Sequence, residues 1–131
     1  MGRPRKPDAQ GGVTFDNVGE IARELAGAVE RTSYGTPAFF VGKTLFVREH
    51  QDGVSLVVRI EPEERAMLVK ANPTTYSVTD HYLNWPLVLV RMATVEREEL
   101  RELLVEAWRL AASNRQARER VKRTRKGGKD P

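Results

Sequence analysis

The side chains best suited to chemistry are few and dispersed along this chain. His50 and His81 are the natural acid–base candidates, and neither lies in a Gly-x-Ser-x-Gly, His-Glu-x-x-His or phosphate-loop context. Gly42-Lys43-Thr44 imitates the end of a phosphate loop, but Pro37 stands where the upstream glycine is required. Asp80-His81 offers two neighbouring metal donors, short of the three or four that a metal site needs. With no cysteine there is no thiol nucleophile, disulfide framework or zinc knuckle. No nucleophile stands beside a base, so the sequence predicts a protein that is not an enzyme, with no catalytic residue, metal or cofactor.

Two other constellations suit binding. Tyr82 and Trp85 cluster with His81 within five positions, an aromatic patch with a titratable member. Strand alternation adds arginines to it. Val54, Leu56, Val58 and Ile60 share one face of a strand, which sends Arg59 to the other. By the same rule Arg48 opposes Leu45 and Val47, and Arg91 opposes Val88 and Val90, so three arginines fall on the solvent side of one sheet. Tyr34, Arg48, Arg59, His81, Tyr82, Trp85 and Arg91 are therefore candidates for a ligand- or protein-binding site. The competing reading makes Asp80-His81 a plain turn and the arginines decoration of an exposed face.

The second constellation is electrostatic. The net charge of +4 and pI near 9.7 conceal a segregation. Residues 1–12 carry three basic side chains against one acidic, residues 114–131 carry eight against two, and residues 13–113 carry eleven against fifteen. All the excess positive charge thus lies in the two arms, around an acidic middle. Gly2-Arg3-Pro4-Arg5-Lys6-Pro7 resembles the core of an AT-hook, in which an extended Gly-Arg-Pro centre lies in a narrow minor groove. At the other end Arg115, Arg118, Lys122 and Lys126 would share one stripe of a helix, with Arg123 and Arg125 beside it, an arrangement that can track phosphates without reading sequence. DNA is the predicted partner, gripped through Arg3, Arg5, Lys6 and these C-terminal cations. Solubilising tails are the alternative.

The elements that must position these residues follow from periodicity. Val18, Ile21, Leu25 and Ala28/Val29 recur at helical spacing after Asp16, a residue type suited to an N-cap, which predicts a helix ending between Gly27 and Arg31. Ala38-Phe39-Phe40-Val41, residues 44–48 and residues 54–60 read as a three-stranded meander with turns at Gly42-Lys43 and Gln51-Asp52-Gly53. A short helix over residues 62–71, with Met67, Leu68 and Ala71 inward, precedes strands at 74–79 and 86–92. Leu100, Leu103, Leu104, Ala107, Trp108 and Ala111 define the last helix, over residues 96–112, with a basic extension toward Thr124. The order α-β-β-β-α-β-β-α predicts an α+β domain over residues 13–113, with helices on one face of a mostly antiparallel five-stranded sheet. Residues 1–12 form a flexible arm in this reading and residues 114–131 a partly helical tail. The longest apolar runs, such as Leu87-Val88-Leu89-Val90, are far short of the roughly 20 residues of a membrane span, so a soluble, cytoplasmic protein is expected.

Several of these pieces together resemble one family. Ser33-Tyr34-Gly35-Thr36-Pro37-Ala38-Phe39, Gly42-Lys43-Thr44-Leu45-Phe46, Thr79-Asp80-His81-Tyr82 with Trp85-Pro86-Leu87-Val88-Leu89-Val90-Arg91, and Glu98 to Trp108 are similar to the bacterial MmcQ/YjbR proteins. The resemblance spans residues 15–112 and implies a CyaY-like fold, commonly labelled DNA-binding, without established catalytic residues. Glu96-Arg97 replaces a common Asp-Pro start, which weakens the expected helix cap. Frataxin-like relatives of the fold imply iron on an acidic ridge, but Arg23 and Arg31 interrupt Glu20, Glu24 and Glu30, so no iron is expected here. The two arms lie outside the resemblance.

Overall fold

The computed structural model describes residues 12–128, and side chains as far as residue 114. The predicted arm of residues 1–12, with Arg3, Arg5 and Lys6, therefore lies outside the described residues apart from Gly12. Six strands form one antiparallel sheet in the order β1-β2-β3-β4-β6-β5. They are β1 (Ala28–Ser33), β2 (Thr36–Val41), β3 (Thr44–Glu49), β4 (Ser55–Arg59), β5 (Tyr76–Ser77) and β6 (Leu87–Arg91). Three helices, α1 (Phe15–Ala22), α2 (Pro62–Ala71) and α3 (Arg97–Gly128), complete the α+β architecture.

The N-terminal region departs most from expectation. Thr14, not Asp16, caps α1: its hydroxyl accepts from the Asn17 amide at 3.3 Å, and the Asn17 side chain accepts from the Thr14 amide at 2.9 Å, a reciprocal capping box. The helix ends at Ala22 rather than between Gly27 and Arg31, and Ala28–Ser33 is a sixth strand at the edge of the sheet. Gly27, at φ +77°, supplies the left-handed residue at which the chain turns into β1. Val29 and Thr32 favour the strand, but its middle residues are exposed, so it shows no alternation by which to recognise it.

The main core lies between one face of the sheet and the helices. Val18 and Ile21 of α1, Leu100, Leu103, Leu104, Ala107 and Ala111 of α3, and Phe39, Phe46, Leu56, Val58, Val88 and Val90 of the strands pack there. Trp108 donates its indole N–H to the Ala26 carbonyl at 2.7 Å, tying α3 to the α1–β1 connection. Tyr76 also enters this core and donates to Glu99 of α3; burial, then that carboxylate, push its phenol well above its ordinary value. Helix α2 covers the edge of the core with Leu68 and Val69, whereas Met67 and Ala71, expected inward, are exposed.

The other face of the sheet is also covered. Val57 and Leu89, with Leu87 and Val78 around them, pack beneath Tyr82, which sits in a 3₁₀ turn (Asp80–Tyr82) of the segment between β5 and β6. The β3–β4 hairpin turns as expected at Gln51-Asp52-Gly53, with the Asp52 carboxylate accepting from the Val54 and Ser55 amides at 2.9 Å each. Leu104 is fully buried in the main core, so Leu104→Ala should cost about 3 kcal/mol in urea unfolding; a loss below about 1 kcal/mol would place it outside that core.

Candidate functional site

Between the sheet and residues 79–87 lies a cavity of about 710 Å³, on the side away from the helices. Its floor comes from Phe40, Leu45, Arg48 and Arg59, and its roof and rim from Tyr34, His50, His81, Tyr82 and Trp85. Six of the seven ligand-binding candidates meet here: Tyr34, Arg48, Arg59, His81, Tyr82 and Trp85. The seventh, Arg91, does not line it. Arg59 pairs with Leu87 and Arg91 with Ser55, at opposite ends of the β4–β6 ladder and about 13 Å apart along it.

A β-bulge makes this floor. Phe39 faces Val47 while Phe40 faces Leu45, so β3 carries one extra residue and both Phe46 and Val47 enter the main core. Strict alternation puts Leu45 with Val47 on the core side; the bulge returns Leu45 to the cavity, on the same side as Arg48. The arginines do lie opposite the core as expected. Arg48 is nevertheless not on a solvent side, being only 4% exposed, because residues 79–87 cover that face. This corrects the exposed reading for Arg48, whereas Arg59 is half-buried and Arg91 is exposed as expected.

Arg48 is the centre of the site. One Nη donates to the Tyr82 hydroxyl, and the other reaches the Thr36 hydroxyl, the Glu49 carbonyl and the Gln51 side-chain oxygen at 3.2–3.3 Å. Its guanidinium lies 5.2 Å from the centre of the Tyr34 ring. All these partners are neutral. Among the described residues no carboxylate pairs with Arg48, although a buried charge left uncompensated costs several kcal/mol. Tyr82 accepts from Arg48, and its own hydroxyl hydrogen meets no acceptor among the described residues.

The rim is built from local features. Ser33 faces Thr36 across the two-residue Tyr34-Gly35 turn, in which both residues have positive φ, +54° and +80°. That is the hairpin turn that favours Asn-Gly, and a tyrosine at its first position carries a strain of roughly 1–2 kcal/mol. Tyr34 is also 79% exposed, and the contact described for its ring within the protein is the Arg48 guanidinium. His50 Nδ1 accepts the Asp52 amide at 3.2 Å, which leaves the proton of the neutral ring on Nε2. The His50 and His81 rings stand edge-on to Tyr82, with centres 6.1 and 4.8 Å away.

Arg65 of α2, which sequence reasoning did not single out, holds the roof. Its guanidinium donates to the carbonyls of Trp85 (2.8 Å), Leu87 (3.0 Å), Leu83 (3.1 Å) and Tyr82 (3.4 Å). A lone arginine on a polar helix gives no sequence signal of such a clamp. His50 could have been found, since it follows Arg48 by two in β-spacing. Among the described residues no group of three or more potential ligands could hold a metal ion, and no helix is long and apolar enough to cross a membrane.

A sheet with all its helices on one face and a covered cavity on the other defines a small α+β domain. The YjbR family model matches residues 23–110, and the chain belongs to that family. It is similar to the crystal structure of Deinococcus radiodurans DR2400, which carries a DUF419 domain, with 26% identity and a TM-score of 0.65 over 74% of this chain and 77% of that one. It is also 37% identical over 65 residues to the uncharacterized proteins Mb2600 of Mycobacterium bovis and Rv2570 of Mycobacterium tuberculosis. That match covers 49% of this chain and 50% of each relative, so the chain spans about half the length of these curated relatives.

Two outcomes follow from this geometry. Arg65→Ala removes four hydrogen bonds from the roof, so amide exchange at residues 82–87 should accelerate by at least about tenfold while core strands stay protected. Unchanged exchange there would mean that the roof is held by other interactions. Burial would raise the Asp52 carboxyl, but the Val54 and Ser55 amides, the Ser55 hydroxyl and nearby His50 outweigh it and hold the group below its ordinary value. Its stabilising contribution is thus complete above the ordinary carboxylate range and fades as pH falls through the depressed value. Asp52→Ala should therefore flatten the acid side of the stability–pH curve, read by thermal melts.

Proposed function

We propose that this YjbR-family protein acts by binding rather than catalysis and grips DNA phosphates through its basic ends. The observation that carries this reading is the length of α3. Among the described side chains the last buried one on this helix is Ala111, yet the helix continues to Gly128. Those 17 further residues extend about 25 Å along the axis. The extension holds Arg115, Arg118, Arg120, Lys122, Arg123, Arg125 and Lys126 against Glu119. Arg115, Arg118, Lys122 and Lys126 recur at the three- and four-residue spacing of a single helical stripe. A rod with one basic stripe can lie along a phosphate backbone, and the acidic body behind it disfavours approach by any other route. Arg3, Arg5 and Lys6 would add a second, minor-groove contact.

Fluorescence anisotropy with a labelled duplex at several salt concentrations tests this reading. The full chain carrying Arg115→Gln, Arg118→Gln, Lys122→Gln and Lys126→Gln should bind more weakly, and its log–log salt slope should shrink by about one for each phosphate no longer neutralised. A variant with unchanged affinity and slope would remove the extension from DNA binding.

A further inference from the structure

We propose that the cavity between the sheet and residues 79–87 is a binding site for a small aromatic carboxylate, with Arg48 as its counter-charge. The inference is independent of the DNA reading, because it concerns the face of the sheet opposite α3.

Three observations converge on it. Arg48 is a buried cation whose described partners are all neutral, in the floor of a cavity large enough for a compact organic molecule. A carboxylate matches the single charge and the planar fork of a guanidinium. Inorganic phosphate lacks the apolar body that the walls and rim of this space would receive. The second observation is a donor beside that cation: the Tyr82 hydroxyl accepts from Arg48 and retains its own hydrogen for an anion. The third is the aromatic rim. Tyr34 and Trp85 are 79% and 59% exposed at the cavity mouth, and Tyr34 is held in a left-handed conformation that costs stability. Strain kept at an exposed aromatic residue beside a cavity fits a ring that receives another ring. Phe40, Leu45 and Leu87 supply the apolar surface between head and rim.

The geometry gives each group a role. Arg48 and Tyr82 hold the carboxylate, and Tyr34 and Trp85 pack against the ring at the opening. Arg65 acts indirectly, by fixing the carbonyls of the segment that carries Tyr82 and Trp85.

Isothermal titration of the full chain with 2-naphthoate, and in parallel with neutral 2-naphthamide and inorganic phosphate, tests the proposal. The expected result is saturable binding of 2-naphthoate, weaker binding of the amide by about tenfold or more, and none of phosphate. Arg48→Gln should weaken 2-naphthoate binding by at least the same factor. If that variant fails to fold, Trp85→Ala and Tyr34→Asn decide, since both side chains are exposed and asparagine relieves the turn. Tyr34→Asn should melt no lower than the parent and still bind 2-naphthoate several-fold more weakly. Equal affinity for acid and amide would overturn the proposal. So would preferential binding of phosphate, tighter binding of a peptide ending in phenylalanine than of 2-naphthoate, or no uptake of 2-naphthoate at millimolar concentration.

Discussion

The sheet has two apolar faces, and the helices cover only one of them. The other must be closed by residues 78–87, whose sole regular element before β6 is one 3₁₀ turn, so the segment has little intrinsic order of its own. Its position depends on two arginines. Arg65 reaches in from α2 to four carbonyls of the segment, and Arg48 rises from β3 to the Tyr82 hydroxyl. Hydrogen bonds from charged donors are the stronger kind, and here they add to the apolar contact that Tyr82 makes with Val57 and Leu89. Closing the face with polar ties rather than a packed helix leaves space beneath the segment, and the cavity is that space.

The bulge in β3 matters for the same reason. Without the extra residue, Leu45 would follow Val47 into the main core and the floor would lack an apolar member beside Arg59. With it, Phe46 and Val47 both fill the core while Leu45 and Arg48 both face the cavity. The Leu45 carbonyl also accepts from Arg59 Nε at 2.7 Å, so the bulged strand fixes the second arginine of the floor as well.

What is legible in the sequence follows which interactions are local. The core helix α3 and strands β2, β4 and β6 can be read because their main-core residues repeat at the period of the element, and that repeat in β4 sends Arg59 to the correct face, whereas the bulge interrupts it in β3. Strand β1 merges with the first helix in such a reading because its exposed middle carries no repeat, while Ala28 and Val29 happen to continue the helical spacing. The site is legible as a set of residue types but not as an enclosure. Tyr34, His81, Tyr82 and Trp85 stand out as aromatic and titratable side chains near turns. The burial of Arg48, the exclusion of Arg91 and the clamp at Arg65 depend on where residues 78–87 lie across the sheet. That is a long-range arrangement for which one chain provides no periodic signature.

The two proposed anion-binding surfaces start from opposite faces of the sheet. The basic extension leaves α3, which packs on the core face, whereas Arg48 looks away from it. One covalent and hydrogen-bonded path links them: Asn114, at the root of the extension, donates to the Thr44 hydroxyl at 3.1 Å, and the next residue, Leu45, accepts from Arg59. Proximity along such a path does not create coupling, which needs an element with two arrangements that both ligands bias. Thr44 is buried at the start of β3, paired with Val41 of β2. The two proposals call for two independent surfaces on one small domain: a long-range, salt-screened attraction to the cations of the α3 extension, and a short-range, desolvated one centred on the Arg48 guanidinium.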